Sequence, residues 1–102
     1  MLRILLICGV GASTGFMAQK MRSYAKTNGI EVSVKAVSEK ELIDYVDEID
    51  VLLVGPHYKS KEEFIRNEIK GYPIKMDIIK SDYYATMNGE MILKQALDLV
   101  EK

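Results

Sequence analysis

The stretch Leu2-Arg3-Ile4-Leu5-Leu6-Ile7-Cys8-Gly9-Val10-Gly11-Ala12-Ser13-Thr14-Gly15 decides the fold. Its first six residues are almost continuously apolar, the pattern of a central parallel strand covered on both faces. Glycines break the run, and Ser13 or Thr14 is placed to cap a helix in which Met17, Ala18, Met21, Tyr24 and Ala25 recur at helical spacing. Asn28-Gly29 then offers a left-handed stop. A buried strand running through a small-residue loop into a helix is the opening unit of an α/β domain.

The alternation continues beyond this unit. Ile30, Val32, Val34 and Ala36 alternate with polar residues, as expected of a strand near the sheet edge with one wetter face. Ser38-Glu39-Lys40-Glu41 reads as a capping box opening a second helix, with Leu42, Ile43, Tyr45 and Val46 turned inward. Val51-Leu52-Leu53-Val54 repeats the buried-strand pattern and stops at Gly55-Pro56, which predicts a non-helical exit. Ser60 to Glu63 reads as another capping box, before a helix lined by Phe64, Ile65 and Ile69 that ends at Gly71. A short last strand carries Ile74, Met76 and Ile78. A polar loop then leads to Asn88-Gly89 and a helix with Ile92, Leu93, Ala96, Leu97 and Val100 on one face.

Four strands, each followed by a helix, predict an open doubly wound α/β domain: a parallel sheet in the order 2-1-3-4 with helices on both faces. The switch point falls between the first and third strands, and ligands bind beyond the carboxyl ends of strands at such a point. Cys8 belongs there.

Bulk properties narrow the function. The 102 residues predict one domain over 1–102, and a net charge of −1 describes an ordinary globular chain. Basic residues read as mixed with acidic ones along the helices, with no basic, aromatic-interleaved track for nucleic acid. The apolar run from Leu2 to Val10 falls far short of the roughly 20 residues a membrane span needs. It also lacks a signal-peptide cleavage pattern. One cysteine forms neither an internal disulfide nor a multi-cysteine metal site, which points to a reducing cytoplasm.

In Cys8-Gly9-Val10-Gly11-Ala12-Ser13-Thr14-Gly15, small residues let successive backbone N–H groups converge as an anion-binding nest at a helix N-terminus. The same field favours the thiolate of Cys8, its nucleophilic form. Ser13 and Thr14 add hydroxyl donors. A buried, inert small hydrophobe is the alternative for Cys8. Its position before a glycine-rich turn at a switch point favours the nucleophile.

Three competing motifs can be compared letter by letter. The dinucleotide fingerprint G-x-G-x-x-G fails because Thr14 stands where the third glycine is required. A nucleotide P-loop needs Gly-Lys before Ser or Thr, and no lysine precedes Lys20. Low-molecular-weight tyrosine phosphatases resemble this chain in fold type and place a nucleophilic cysteine after the first strand in C-x5-R-[ST]. Asp82-Tyr83-Tyr84 even resembles their general-acid loop. Thr14 occupies the arginine's place, and an arginine on a transferring phosphoryl group is worth about 10³–10⁵ in rate. Slow hydrolysis is the expected consequence. A phosphatase and an inert flavodoxin-like binding module remain the alternatives to a phosphoryl carrier.

The segment LLICGVGASTGFMAQKM is similar to the cysteine loop of lactose/cellobiose-type IIB components of the bacterial sugar phosphotransferase system. Val51-Leu52-Leu53-Val54-Gly55-Pro56 resembles that family's third strand and its exit. Tyr84-Ala85-Thr86-Met87-Asn88-Gly89 resembles the segment before its last helix. The resemblance implies a cytoplasmic protein, associated with the membrane through the IIC permease, that takes phosphate from a phosphohistidine of IIA onto Cys8 and donates it to a sugar bound by IIC. Cellobiose, chitobiose or lactose is the implied class of sugar. Gly9, Val10, Gly11, Ala12, Ser13, Thr14 and Gly15 would cradle the phosphate, with no cofactor and no metal.

Pro56, His57, Asp82 and Tyr84 are candidates for the rim of the site. Gly15, Ala85 and His57 depart from the family pattern, which has Ser, Gly and Gln at these places. His57 reads more readily as a packing or docking histidine than as a relay, and Asp82 and Tyr84 as a polar loop with a packed tyrosine.

Overall fold

The computed structural model describes residues 1–7 and 12–101. Among them, strands β1 (Leu2–Ile7), β2 (Val32–Val37), β3 (Val51–Val54) and β4 (Lys75–Ile78) form a sheet in the order β2-β1-β3-β4. All three pairings are parallel, with Ile4 opposite both Val34 and Val51, and Leu52 opposite Met76. The order expected from the sequence is the observed one.

Alternate residues of the strands feed two separate cores. Ile4, Leu6, Val34, Val51 and Leu53 pack with Met17, Met21 and Ala25 of α1 (Ala12–Thr27) and with Ile92, Leu93 and Ala96 of α4 (Gly89–Glu101). On the other face Leu5, Ile7, Leu52 and Val54 meet Leu42, Val46 and Ile49, together with Ile65 of α2 (Glu62–Glu68). Removing such side chains from water contributes about 1.5–3 kcal/mol each, which is why β1 and β3 occupy the centre. β2, at an edge, keeps only Val34 fully covered. Gly29 closes α1 with φ of +67°, as Asn28-Gly29 suggested.

The second and third helices differ from expectation. Residues Glu39–Asp44 form a 3-10 helix. The Ser38 hydroxyl donates to the Glu41 carboxylate at 3.0 Å instead of accepting a backbone N–H, while the Glu41 N–H goes to the Ser38 carbonyl at 3.0 Å. That three-residue step winds the 3-10 form. Leu42 and Val46 are buried, but Ile43 is 59% exposed, because a tighter helix turns it off the inward stripe.

Helix also begins directly at Pro56, in a 3-10 segment Pro56–Lys61, contrary to the expected non-helical exit. Proline tolerates a first helical position, where its missing N–H costs nothing. The Ser60–Glu63 capping box does not form; α2 starts at Glu62, and Lys61 before it gives no side-chain cap. Ile65 and Ile69 are buried, whereas Phe64 points to solvent. In the expected polar loop after β4 the chain winds a short helix, α3 (Ser81–Ala85). α1 starts at Ala12, so Ser13 and Thr14 lie within its first turn, past the capping position expected of them.

Candidate functional site at the carboxyl end of the sheet

Three strand exits are tied together where the sequence placed the site. The Gly55 N–H donates to the Ile7 carbonyl at 2.8 Å, and the Ile79 N–H donates to the Val54 carbonyl at 2.8 Å. Ile7, Val54 and Gly55 are all buried, so the ends of β1 and β3 cannot move independently. The residue after Ile7 is Cys8. Cys8, Gly9, Val10 and Gly11 lie outside the described residues, and so do the side chains of Ala12, Ser13 and Thr14.

Around that point the candidate rim residues are partly assembled. Pro56 opens the 3-10 segment and turns the chain so that His57 is exposed. The His57 ring lies 4.7 Å from Tyr58 and 5.6 Å from Tyr84, centroid to centroid, at tilts of 44° and 51°. His57 and Tyr84, one after β3 and the other on α3, are therefore in contact across two connections. Such tilted aromatic pairs are worth about 0.5–1.5 kcal/mol beyond the area they cover. Asp82 is exposed on α3 and makes no hydrogen bond or ion pair with His57; its backbone carbonyl accepts the Thr86 hydroxyl at 2.8 Å. Gly15 is exposed on α1, and a β-carbon there would meet nothing within 4 Å, so the serine of the family pattern would fit.

The electrostatics are more one-sided than mixed helices would give. No Asp or Glu occurs before Glu31, while Arg3, Lys20, Arg22 and Lys26 do, so α1 carries cations alone. Lys59 and Lys80 line a cavity of about 300 Å³ between the exits of β3 and β4, beside Pro56 and Ser81. Glu62 and Asp77 line it too, but Glu62 is paired with Arg66 and Asp77 is held by Gln95.

An ion pair joined by three hydrogen bonds lies at the opposite end. Arg3 donates to Asp50 through its guanidinium at 3.1 and 3.2 Å and through its backbone N–H at 2.9 Å. These hydrogen bonds hold the Asp50 carboxyl below its usual value. That pair anchors the start of β1.

Two residues that bear on this end of the sheet, Tyr58 and Gln95, lie outside the glycine loop. Tyr58 packs against the second core beneath His57. Gln95 of α4 bonds to the end of β4, and Asn88 caps α4 by accepting the Met91 N–H at 3.1 Å. Asn88-Gly89 marked that helix start in the sequence; nothing local marked Gln95 or Tyr58. No helix among the described residues is long and apolar enough to cross a membrane.

Residues 3–95 match the family model described as the lactose/cellobiose-specific IIB subunit of the PTS system. The oligo-beta-mannoside-specific EIIB component of Bacillus subtilis is 30% identical over 100 residues, covering 98% of this chain and 97% of the relative. The lactose-specific EIICB component of Lacticaseibacillus casei is 24% identical over 96% of this chain, which spans 17% of that longer protein. The cellobiose-specific IIB component of Borrelia burgdorferi superposes with a TM-score of 0.79 at 35% identity, over 96% of this chain and 90% of that one. Two further structures share the fold at low identity. The lactose-specific IIB domain of Streptococcus pneumoniae has a TM-score of 0.85 at 14% identity over 96% of each chain. A YwlE mutant from Bacillus subtilis has a TM-score of 0.64 at 15% identity over the whole of both. The order β2-β1-β3-β4, the cysteine that follows β1 and the match over residues 3–95 lead to one conclusion: the chain belongs to the lactose/cellobiose-specific IIB family of the sugar phosphotransferase system.

Proposed function

We propose that this chain is a single-domain phosphoryl carrier, residues 1–102, that works through Cys8. The observation that carries the reading is the place of Cys8, directly after buried Ile7 at the switch point of the sheet and four residues before α1. A helix N-terminus stabilises negative charge, which favours both a thiolate and the phosphate it would carry.

The first step is attack by the Cys8 thiolate on the phosphorus of a phosphohistidine presented by IIA. A sulfur–phosphorus bond forms, the phosphorus–nitrogen bond breaks, and the imidazole leaves with its electron pair. In the second step a sugar hydroxyl, held by the membrane IIC component, attacks the same phosphorus. The sulfur–phosphorus bond breaks, the thiolate returns, and the hydroxyl proton passes to solvent or a nearby base. Backbone N–H groups from Gly9 to Gly15 and the hydroxyls of Ser13 and Thr14 cradle the three phosphoryl oxygens. Pro56, His57, Asp82 and Tyr84 border the site.

The sugar is a β-linked disaccharide of the cellobiose, chitobiose or lactose class, a reading supported by the cellobiose, lactose and oligo-beta-mannoside specificities of the related proteins. The EIICB relative joins two of these components in one protein, which supports a cytoplasmic partner working at the membrane beside IIC.

Incubation with phosphorylated IIA, followed by mass spectrometry, tests this directly. One phosphate is expected on Cys8, absent in Cys8→Ser and retained in His57→Gln. A wild-type chain without label on Cys8 would overturn the proposal.

A further inference from the structure

The side chain of Gln95 fills the place of a fifth strand. β4 is an edge strand, and the last outward-facing backbone groups at its end are the Ile78 N–H, the Ile78 carbonyl and the Lys80 N–H. The Gln95 amide nitrogen donates to the Ile78 carbonyl at 2.8 Å, and its amide oxygen accepts from the Lys80 N–H at 3.3 Å. Donating to one residue and accepting from the residue two further on is what a neighbouring parallel strand does. The same amide nitrogen also donates to Asp77 at 2.9 Å, and the other oxygen of that carboxylate accepts the Ile78 N–H at 2.9 Å.

Those bonds reach the site rim by a continuous route. Lys80 is the residue from which α3 starts, in an extended conformation with φ of −61° and ψ of 137°. Its N–H is held by Gln95, and its carbonyl accepts the Tyr84 N–H at 3.0 Å. Tyr84 in turn contacts the His57 ring. The far end of the same segment returns to α4, where Asn88 caps the helix that carries Gln95. Residues 80–88 are thus pinned to one helix at both ends.

We infer that Gln95 is a positioning residue for the site. By holding the Lys80 peptide, it sets the direction in which α3 leaves the sheet and so places Tyr84 against His57 on the rim of the proposed site. This role rests on the phosphoryl-carrier reading above. A residue of α4 suits the task because that helix buries Gly89, Ile92, Leu93 and Ala96, whereas the short α3 buries no residue of its own.

The test compares Gln95→Met, which keeps length and helix preference but removes all three bonds, with Tyr84→Leu, which keeps those bonds and removes the ring that they are inferred to position. His57 is the only histidine, so its ring-proton NMR signals need no assignment, and they report the neighbouring Tyr84 ring. In folded Gln95→Met those signals should shift, and kcat for transfer from phosphorylated IIA should fall about tenfold with KM unchanged, in keeping with the cost of misplacing reacting groups by a fraction of an ångström. Tyr84→Leu should lower kcat to a similar extent. A full rate in folded Tyr84→Leu would assign any effect of Gln95 to the β4 edge and overturn the inference, as would unchanged signals or an unchanged rate in Gln95→Met. A wild-type chain that accepts no phosphate would instead defeat the carrier reading, and the transfer role of Gln95 with it, whatever the His57 signals show.

Discussion

Gly89 lies so close to Lys20 that a β-carbon on it would sit 2.8 Å from the Lys20 β-carbon and 2.9 Å from the Lys20 carbonyl carbon. The first residue of α4 thus rests against the middle of α1, and the atoms it touches are in or next to the backbone, unable to rotate away. Overpacking of this kind costs about 1–3 kcal/mol, against a gain of up to ~1 kcal/mol from alanine's helix propensity. Gly89→Ala should therefore lose net stability, seen as a lower urea midpoint with an unchanged m value.

The Arg3–Asp50 pair makes stability depend on acid. Hydrogen bonds from Arg3 lower the Asp50 carboxyl in the folded chain relative to its ordinary value of 3.8. A depressed carboxylate contributes stability that is fully present above its unfolded value and lost as pH falls through the lower, folded one. Asp50→Asn should melt below the wild type at pH 7, with the gap closing below pH 3.8. Thermal melts across pH 2–7 would show it, and a constant gap would refute it. Both side chains are more than one-third exposed, so the effect is the modest one of a surface pair.

Phe64 and Ile65, adjacent in sequence, should behave oppositely. Ile65 is fully buried among the residues of the second core, while Phe64 is 59% exposed. Ile65→Ala should cost about 2–5 kcal/mol through lost burial and an unfilled cavity. Phe64→Ser should stay within about 0.5 kcal/mol of the wild type. Equal losses in denaturant titrations would mean that Phe64 is covered in solution.

Position 14 should separate a carrier from a phosphatase. The wild type, with threonine where C-x5-R requires arginine, should show negligible hydrolysis of aryl phosphates. Thr14→Arg should raise hydrolysis above that background and shorten the lifetime of phosphate on Cys8, since such an arginine can supply about 10³–10⁵ in rate. Robust hydrolysis by the unaltered chain would favour the phosphatase.

Much of the architecture was legible in the chain. The strands and their order followed from apolar runs and glycine breaks, because a strand covered on both faces must be apolar throughout and parallel neighbours need crossovers. Helix type at 38–46 and 56–63 was not. Ser-x-x-Glu describes both a capping box and the mutual bond that Ser38 and Glu41 make, and only the geometry distinguishes them. The inward stripe failed at Ile43 and Phe64, each adjacent to a buried residue, Leu42 or Ile65, so the covered face is narrower than the run of apolar letters.

By itself the sequence determined that β1 would be central, that its carboxyl end would meet a small-residue loop, and that the loop would begin with the chain's one cysteine. Each is a property of residues adjacent in the chain, governed by burial and backbone freedom. The tertiary structure alone decided that Tyr84 would stand against His57, that Gly89 would press on Lys20, and that Gln95 would complete the edge of β4. Those pairs lie far apart along the chain, and no local preference encodes them. They exist because two cores, one on each face of the sheet, fix where its helices lie.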